Sequence, residues 1–128
     1  MATYNTLVTF DTAEVVLRID TDKFNGISRG DRQAIGIQLV CASTAGTGSM
    51  TLEQGNSPDE AEAVACVYVD PSDGSTTAIS QAISDSNFFI PYFGADACRY
   101  IFLRFPATLT AGTAEVWLNQ DFEVTDVS

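Results

Sequence analysis

The side chains that could do chemistry in this 128-residue chain are carboxylates and thiols, since it has seventeen Asp and Glu residues, three Cys and no His. Without His, the usual general base near neutral pH is missing, and a Ser or Cys nucleophile lacks its common activator. Two carboxylates could still hydrolyse a glycosidic bond, but no pair stands out by its spacing. The sequence therefore predicts a protein that is not an enzyme.

The stretch DTDKFNG, which begins at Asp20, is similar to the start of a calcium-binding loop, in which alternate residues point oxygens at one ion. Its candidate ligands are Asp20, Asp22 and Asn25, with one extra residue before Asn25 and no Glu at the twelfth position. The alternative is a plain Asx turn, and the same holds for Asp70 and Asp73. We predict no metal and no other cofactor, and calcium remains the alternative at the first loop.

The three cysteines are Cys41, Cys66 and Cys98, an odd number without CxxC spacing. Each lies within an apolar run, and no His is available to complete a zinc site with them. We therefore expect buried free thiols, as in proteins made in a reducing compartment.

The net charge of -11 restricts the partners of the protein. An acidic chain repels nucleic acid phosphates and anionic membranes, so we expect neither as a partner. The start of the sequence lacks a secretory signal, and no apolar run approaches the length needed to span a bilayer. We expect synthesis and assembly in a cytoplasm.

Short runs rich in Val, Ile, Thr and aromatic residues recur about every ten residues, separated by Gly, Pro, Asp and Ser. This spacing predicts an all-β fold, a single antiparallel β-sandwich of jelly-roll type over residues 1–128, with about eight strands. Residues 34–41 and 49–54 have alternating apolar positions and predict a hairpin, as do the two runs within residues 98–119.

The run FFIPYF, residues 88–93, is the least usual feature of the sequence. In a strand, Phe88 and Ile90 face away from Phe89, and Pro91 favours an edge strand. Either one face fills the core while the other packs under a loop, or the outer face is covered by another subunit. The interface candidates are Phe88, Phe89, Tyr92, Phe93 and Trp117.

Three segments resemble small β-sandwich proteins of tailed bacteriophage virions: GTGSMTLEQG at residues 46–55, CRYIFLRF at 98–105 and AGTAEVWL at 111–118. The resemblance extends over residues 34–119. It implies a structural virion protein, namely a capsid decoration, cement or head-spike subunit, or a component of the tail or fibre base.

The implied mechanism is protein–protein binding, with the major capsid protein or neighbouring subunits as partners and a homo-oligomer as the expected state. Residues 1–6 are a candidate N-terminal arm. The rival interpretation is a carbohydrate-binding module that uses Tyr68, Tyr92 or Trp117 as a platform for sugars, and virion and glycan functions are compatible.

Overall fold

The computed structural model describes residues 3–24, 35–92 and 98–128, and over these ranges the chain is nearly all strand. In chain order the elements are β1 (Thr3–Thr9), β2 (Val15–Phe24), β3 (Ile35–Gly46), β4 (Ser49–Gly55), a 3₁₀ helix (Glu60–Glu62), β5 (Val64–Ala65), β6 (Val67–Val69), β7 (Thr76–Ala78), β8 (Ser80–Ala82), β9 (Asn87–Tyr92), β10 (Tyr100–Phe105), β11 (Leu109–Leu118) and β12 (Phe122–Asp126). In these ranges no helix is long and apolar enough to cross a membrane.

Most strands belong to two antiparallel sheets. Sheet A has the order β1-β11-β3-β9, and sheet B has the order β12-β2-β10-β4-β5, with β8 also paired to β4. The remaining strands, β6 and β7, form a separate two-stranded ribbon. The long strands alternate between the sheets along the chain, which gives the strand order of a jelly roll with β12 added beside β2. The predicted antiparallel sandwich is confirmed.

Two connections that the sequence predicts as hairpins are crossings between the sheets. The strand β3 lies in sheet A and β4 in sheet B, although only two residues separate them. The closing pair is divided in the same way, with β10 in sheet B and β11 in sheet A. Both hairpin predictions are wrong because alternating apolar residues around a turn fit a hairpin and an arch between two sheets equally well.

The inner faces of the sheets form one hydrophobic core. The alternating side chains of β3 predicted to share a face, Ile35, Ile37, Leu39 and Cys41, are all buried in it. So are the alternating apolar residues of β4. Cys66 and Cys98 are buried there too, and all three cysteines are free thiols, as predicted.

Part of the outer face of sheet B is covered by other segments of the chain. On β10, Tyr100 and Phe102 point outward and form a second buried cluster with Val16. Ala63, just after the 3₁₀ helix, and Val127, near the end of the sequence, pack against this cluster. The central strand of sheet B is therefore buried on both faces, which explains why its sequence is continuously apolar.

Ion pairs of Arg104 hold the 3₁₀ helix against sheet B. Its guanidinium lies 3.0 Å from Glu53 Oε1, 2.7 Å from Glu60 Oε2 and 2.8 Å from Glu14 Oε1. It also donates to the main-chain carbonyl of Glu60 at 3.1 Å. One cation therefore links two strand regions to the 3₁₀ helix, and the hydrogen bonds to Glu53 and Glu60 raise the pKa of Arg104.

The candidate N-terminal arm is, in its described part, a strand of the sandwich. Thr3 pairs with Leu118 and Thr6 with Val116, so residues 3–6 extend sheet A alongside β11. Pairing within the chain therefore replaces the free arm expected there. Residues 1–2 lie outside the described residues.

Candidate binding surface

The edge strand β9 presents Phe89 to solvent. Its side chain is 65% exposed, whereas Ile90 and Tyr92 are buried in the core and Phe88 packs against that core. The strand lies at the end of sheet A, as Pro91 predicts. Of the aromatic candidates on this strand, Phe89 is therefore the one available to a partner. Phe93 lies outside the described residues.

The register of sheet A brings Phe89 near Trp117. Gln38 on β3 lies directly opposite Phe89 on one side and directly opposite Trp117 of β11 on the other. Directly paired residues in an antiparallel sheet share a face. Two candidates that are far apart in sequence thus lie in one row on the outer face of sheet A, two strand spacings or about 10 Å apart.

The Phe89 ring packs against Gly36, where no side chain is in the way. A Cβ at Gly36 would lie 3.0 Å from Cζ and 3.3 Å from Cε2 of Phe89. The amide of Gly36 donates to Oδ1 of Asn119 at 3.0 Å, which fixes the backbone beneath the ring. An aromatic ring over a strand glycine is a known means of fixing sheet register, and here it fixes the position of an exposed Phe.

A second row runs parallel to the first on the same face. Leu7 lies opposite Glu115, which lies opposite Val40. Leu7 is 50% exposed, and Val40 and Glu115 are half-buried. Oε2 of Glu115 accepts a hydrogen bond from the Trp117 indole nitrogen at 3.2 Å, so the two rows are joined. We call the surface made by Leu7, Gln38, Val40, Phe89, Glu115 and Trp117 the outer A face.

The outer A face is nearly free of charge. The four strands of sheet A contain one ionisable acid, Glu115, and no Lys or Arg. The strands of sheet B carry many charges of both signs: Arg18, Asp20, Asp22, Lys23, Glu53, Arg104, Glu123 and Asp126. Counting charges in each strand-forming run of the sequence would have found this asymmetry and would have added Leu7 and Val40 to the candidates.

A second apolar surface lies on another part of the molecule. Val64 on β5 and Val67 and Tyr68 on β6 are each about half exposed or more, with Tyr68 at 56%. The strand β6 belongs to the two-stranded ribbon, outside both sheets. Tyr68 therefore provides an exposed aromatic side chain away from the outer A face.

The candidate calcium ligands Asp20 and Asp22 lie in the extended strand β2, and Asn25 lies outside the described residues. A cation of the chain already binds this carboxylate pair: Arg99 Nη2 is 3.2 Å from Oδ2 of Asp20, and its Nε is 4.0 Å from Oδ2 of Asp22. Oδ1 of Asp20 also accepts the Asp22 amide at 3.0 Å. Among the described residues, no group of three or more Cys, Asp or Glu side chains could hold a metal.

Asp70 and Asp73 form the plain Asx turns that were the alternative to a metal loop. Oδ1 of Asp70 accepts the amide of Ser72 at 2.9 Å, and Oδ1 of Asp73 accepts the amide of Ser75 at 2.8 Å. These hydrogen bonds hold the pKa values of both carboxyl groups below their ordinary range.

Tyr92, predicted as an interface or sugar-binding residue, belongs instead to a buried polar cluster. Its hydroxyl donates to Oε1 of Gln54, and the Cys66 thiol donates to the same oxygen at 3.7 Å. Burial raises the pKa of Cys66 to about 11 and also raises that of Tyr92. A protonated, buried thiol is a poor nucleophile, so the cluster is suited to satisfying polar groups in the core.

Comparison of the chain with protein-family models, with curated proteins and with solved structures gives no match.

Proposed function

We propose that this protein is a structural subunit of a bacteriophage virion, a capsid decoration, cement or head-spike protein that binds its neighbours through the outer A face. The observation that carries the proposal is the aromatic row on the outer A face, in which Phe89 is exposed and Trp117 is half-buried, on a sheet whose four strands carry a single charged residue. Depletion of charge and enrichment in aromatic residues distinguish the cores of protein–protein interfaces from ordinary surface.

Two further features support the proposal. The jelly roll is a recurrent fold of viral capsid proteins, although fold alone is an argument by analogy because lectins share it. The net charge of -11 would keep a subunit present in many copies soluble and away from packaged DNA.

The experiment is quantitative mass spectrometry of phage particles purified by density gradient from an infected culture that expresses this chain. We expect its peptides to be enriched with DNA-filled heads, at a copy number comparable with that of the major capsid protein. Recovery with separated tails would assign the protein to the tail or fibre base. Recovery only in the soluble fraction would contradict a virion role.

Site variants then test the surface. Phe89→Ser removes the most exposed aromatic side chain of the outer A face, and Tyr68→Ser is its matched control on the ribbon. We expect Phe89→Ser to reduce incorporation into particles and Tyr68→Ser to leave it unchanged. If Tyr68→Ser reduces incorporation more than Phe89→Ser does, and the protein binds glycan arrays in a way that Tyr68→Ser abolishes, the carbohydrate-binding alternative would be favoured.

A further inference from the structure

The contrast between the charge of the whole chain and that of the outer A face indicates the nature of the partner. The chain carries seventeen acids, yet one of them, Glu115, lies in the four strands of sheet A. An acidic protein that binds a basic partner gains from carboxylates on the contact face, because they steer the encounter and pair across it. A face with a single carboxylate is suited to a partner that is itself acidic.

We propose that the outer A face binds a second copy of this chain, sheet against sheet, about a two-fold axis. This inference rests on the proposed function, in which the face is a protein-binding surface. A second copy carries the same charge of -11, so the repulsion between the two copies is smallest where charged residues are fewest. A two-fold axis places the same face on both sides of the contact, and each Phe89–Gln38–Trp117 row packs on the partner's outer A face.

The size of the face sets the strength of the contact. Four strands about 4.8 Å apart, paired over about six residues of 3.4 Å each, give a face of about 400 Å². This is about half of the 800 Å² that each partner buries in a standard interface. We therefore expect a weak dimer in solution, which many simultaneous contacts on a particle would strengthen by multivalency.

Glu115 distinguishes a second copy from a basic partner. Its carboxylate lies within the outer A face, between Leu7 and Val40. In a two-fold contact each copy brings one Glu115 carboxylate into a desolvated interface without a cation from the other face, which weakens the dimer. Glu115→Gln should therefore strengthen self-association, whereas it would weaken binding to a basic partner.

The test is sedimentation equilibrium of the purified protein over a wide range of concentrations, with circular dichroism to check that each variant is folded. We expect a monomer–dimer equilibrium that Glu115→Gln shifts toward dimer. Phe89→Ser should weaken it at least about tenfold, as expected for an interface hot spot. Gln38→Glu adds an acid at an exposed position between Phe89 and Trp117 and should weaken it as well, while Tyr68→Ser should leave it unchanged.

A wild-type protein that stays monomeric up to about 1 mM, where even a contact of about -4 kcal/mol is half-formed, would overturn the inference. So would weaker association of Glu115→Gln, or equal effects of Phe89→Ser and Tyr68→Ser. Failure here is distinguishable from failure of the proposed function. A monomer that is still found in particles leaves the virion role standing, and a dimer that is absent from particles leaves self-association standing.

Discussion

Replacing Gly112 by Ala tests how closely β11 crosses over β3. Gly112 has a φ of +100° and lies where the pairing register of these strands shifts. A Cβ there would lie 2.6 Å from Cα of Thr44 and 2.7 Å from the carbonyl carbon and oxygen of Ser43. These are main-chain atoms of a paired strand, so they cannot move aside without disturbing sheet A. The carbonyl of Gly112 also accepts the Phe10 amide at 2.9 Å.

Two costs add at this position. An L-residue in the left-handed region costs about 1–2 kcal/mol. Carbon contacts in proteins are optimal at about 3.5–4.0 Å, so the new methyl group is about 1 Å too close to the backbone, and overpacking of this kind costs about 1–3 kcal/mol. We expect Gly112→Ala to lower the free energy of unfolding by about 2–5 kcal/mol.

Gly74 is the matched control. Its φ is +75°, but a Cβ there would meet no atom within 4 Å. Gly74→Ala should therefore pay the conformational cost alone, about 1–2 kcal/mol. The difference between the two variants isolates the steric contact between β11 and β3.

The assay is equilibrium urea unfolding, followed by the fluorescence of Trp117, the single Trp of the chain. With a slope of about 1–3 kcal/mol per molar urea, a difference of about 2 kcal/mol separates the two midpoints by about 1 M. Equal midpoints for Gly112→Ala and Gly74→Ala would refute the reasoning, since they would show that β3 accommodates the methyl group without cost.

Two further predictions concern polar groups, the Arg104 ion pairs and the Cys66 thiol. Arg104→Met leaves the Glu53 carboxylate and its neighbours without their cation, and it should lower the free energy of unfolding in urea by about 2–4 kcal/mol. This is below the largest values for buried pairs because the Arg104 side chain is 22% exposed. The double variant with Glu53→Met should recover part of this loss, and a single variant as stable as the wild type would contradict the role of Arg104. Burial raises the pKa of Cys66 in the folded protein to about 11, against an ordinary value of 9.0, so on raising the pH the unfolded chain releases this proton first. The stability contributed by the neutral buried thiol is therefore complete below pH 9 and is lost as the pH rises toward 11. The expected loss is at most about 3 kcal/mol, and a stability profile from pH 8 to 11 that is the same for wild type and Cys66→Ala would contradict it.

The sequence alone determined the class of fold, because the patterns that specify strands and turns involve residues close together in the chain. Short alternating runs separated by turn residues specify strands, and the alternation in β3 and β4 specifies which side chains are buried. The same local patterns predicted free buried thiols, Asx turns at Asp70 and Asp73, and an edge position for the strand of Pro91. Each of these depends on a residue's own chemistry and on its near neighbours in the chain.

The tertiary structure decided what depends on pairing between distant segments. The sequence could not show that two apparent hairpins are arches, because the turn is the same in both and only the partner strands differ. It could not show that Tyr92 points into the core and Phe89 outward, since alternation separates the two faces without saying which is covered. The outer A face itself exists only through register, which places Phe89, Gln38 and Trp117 in one row although they are up to 79 positions apart in the sequence.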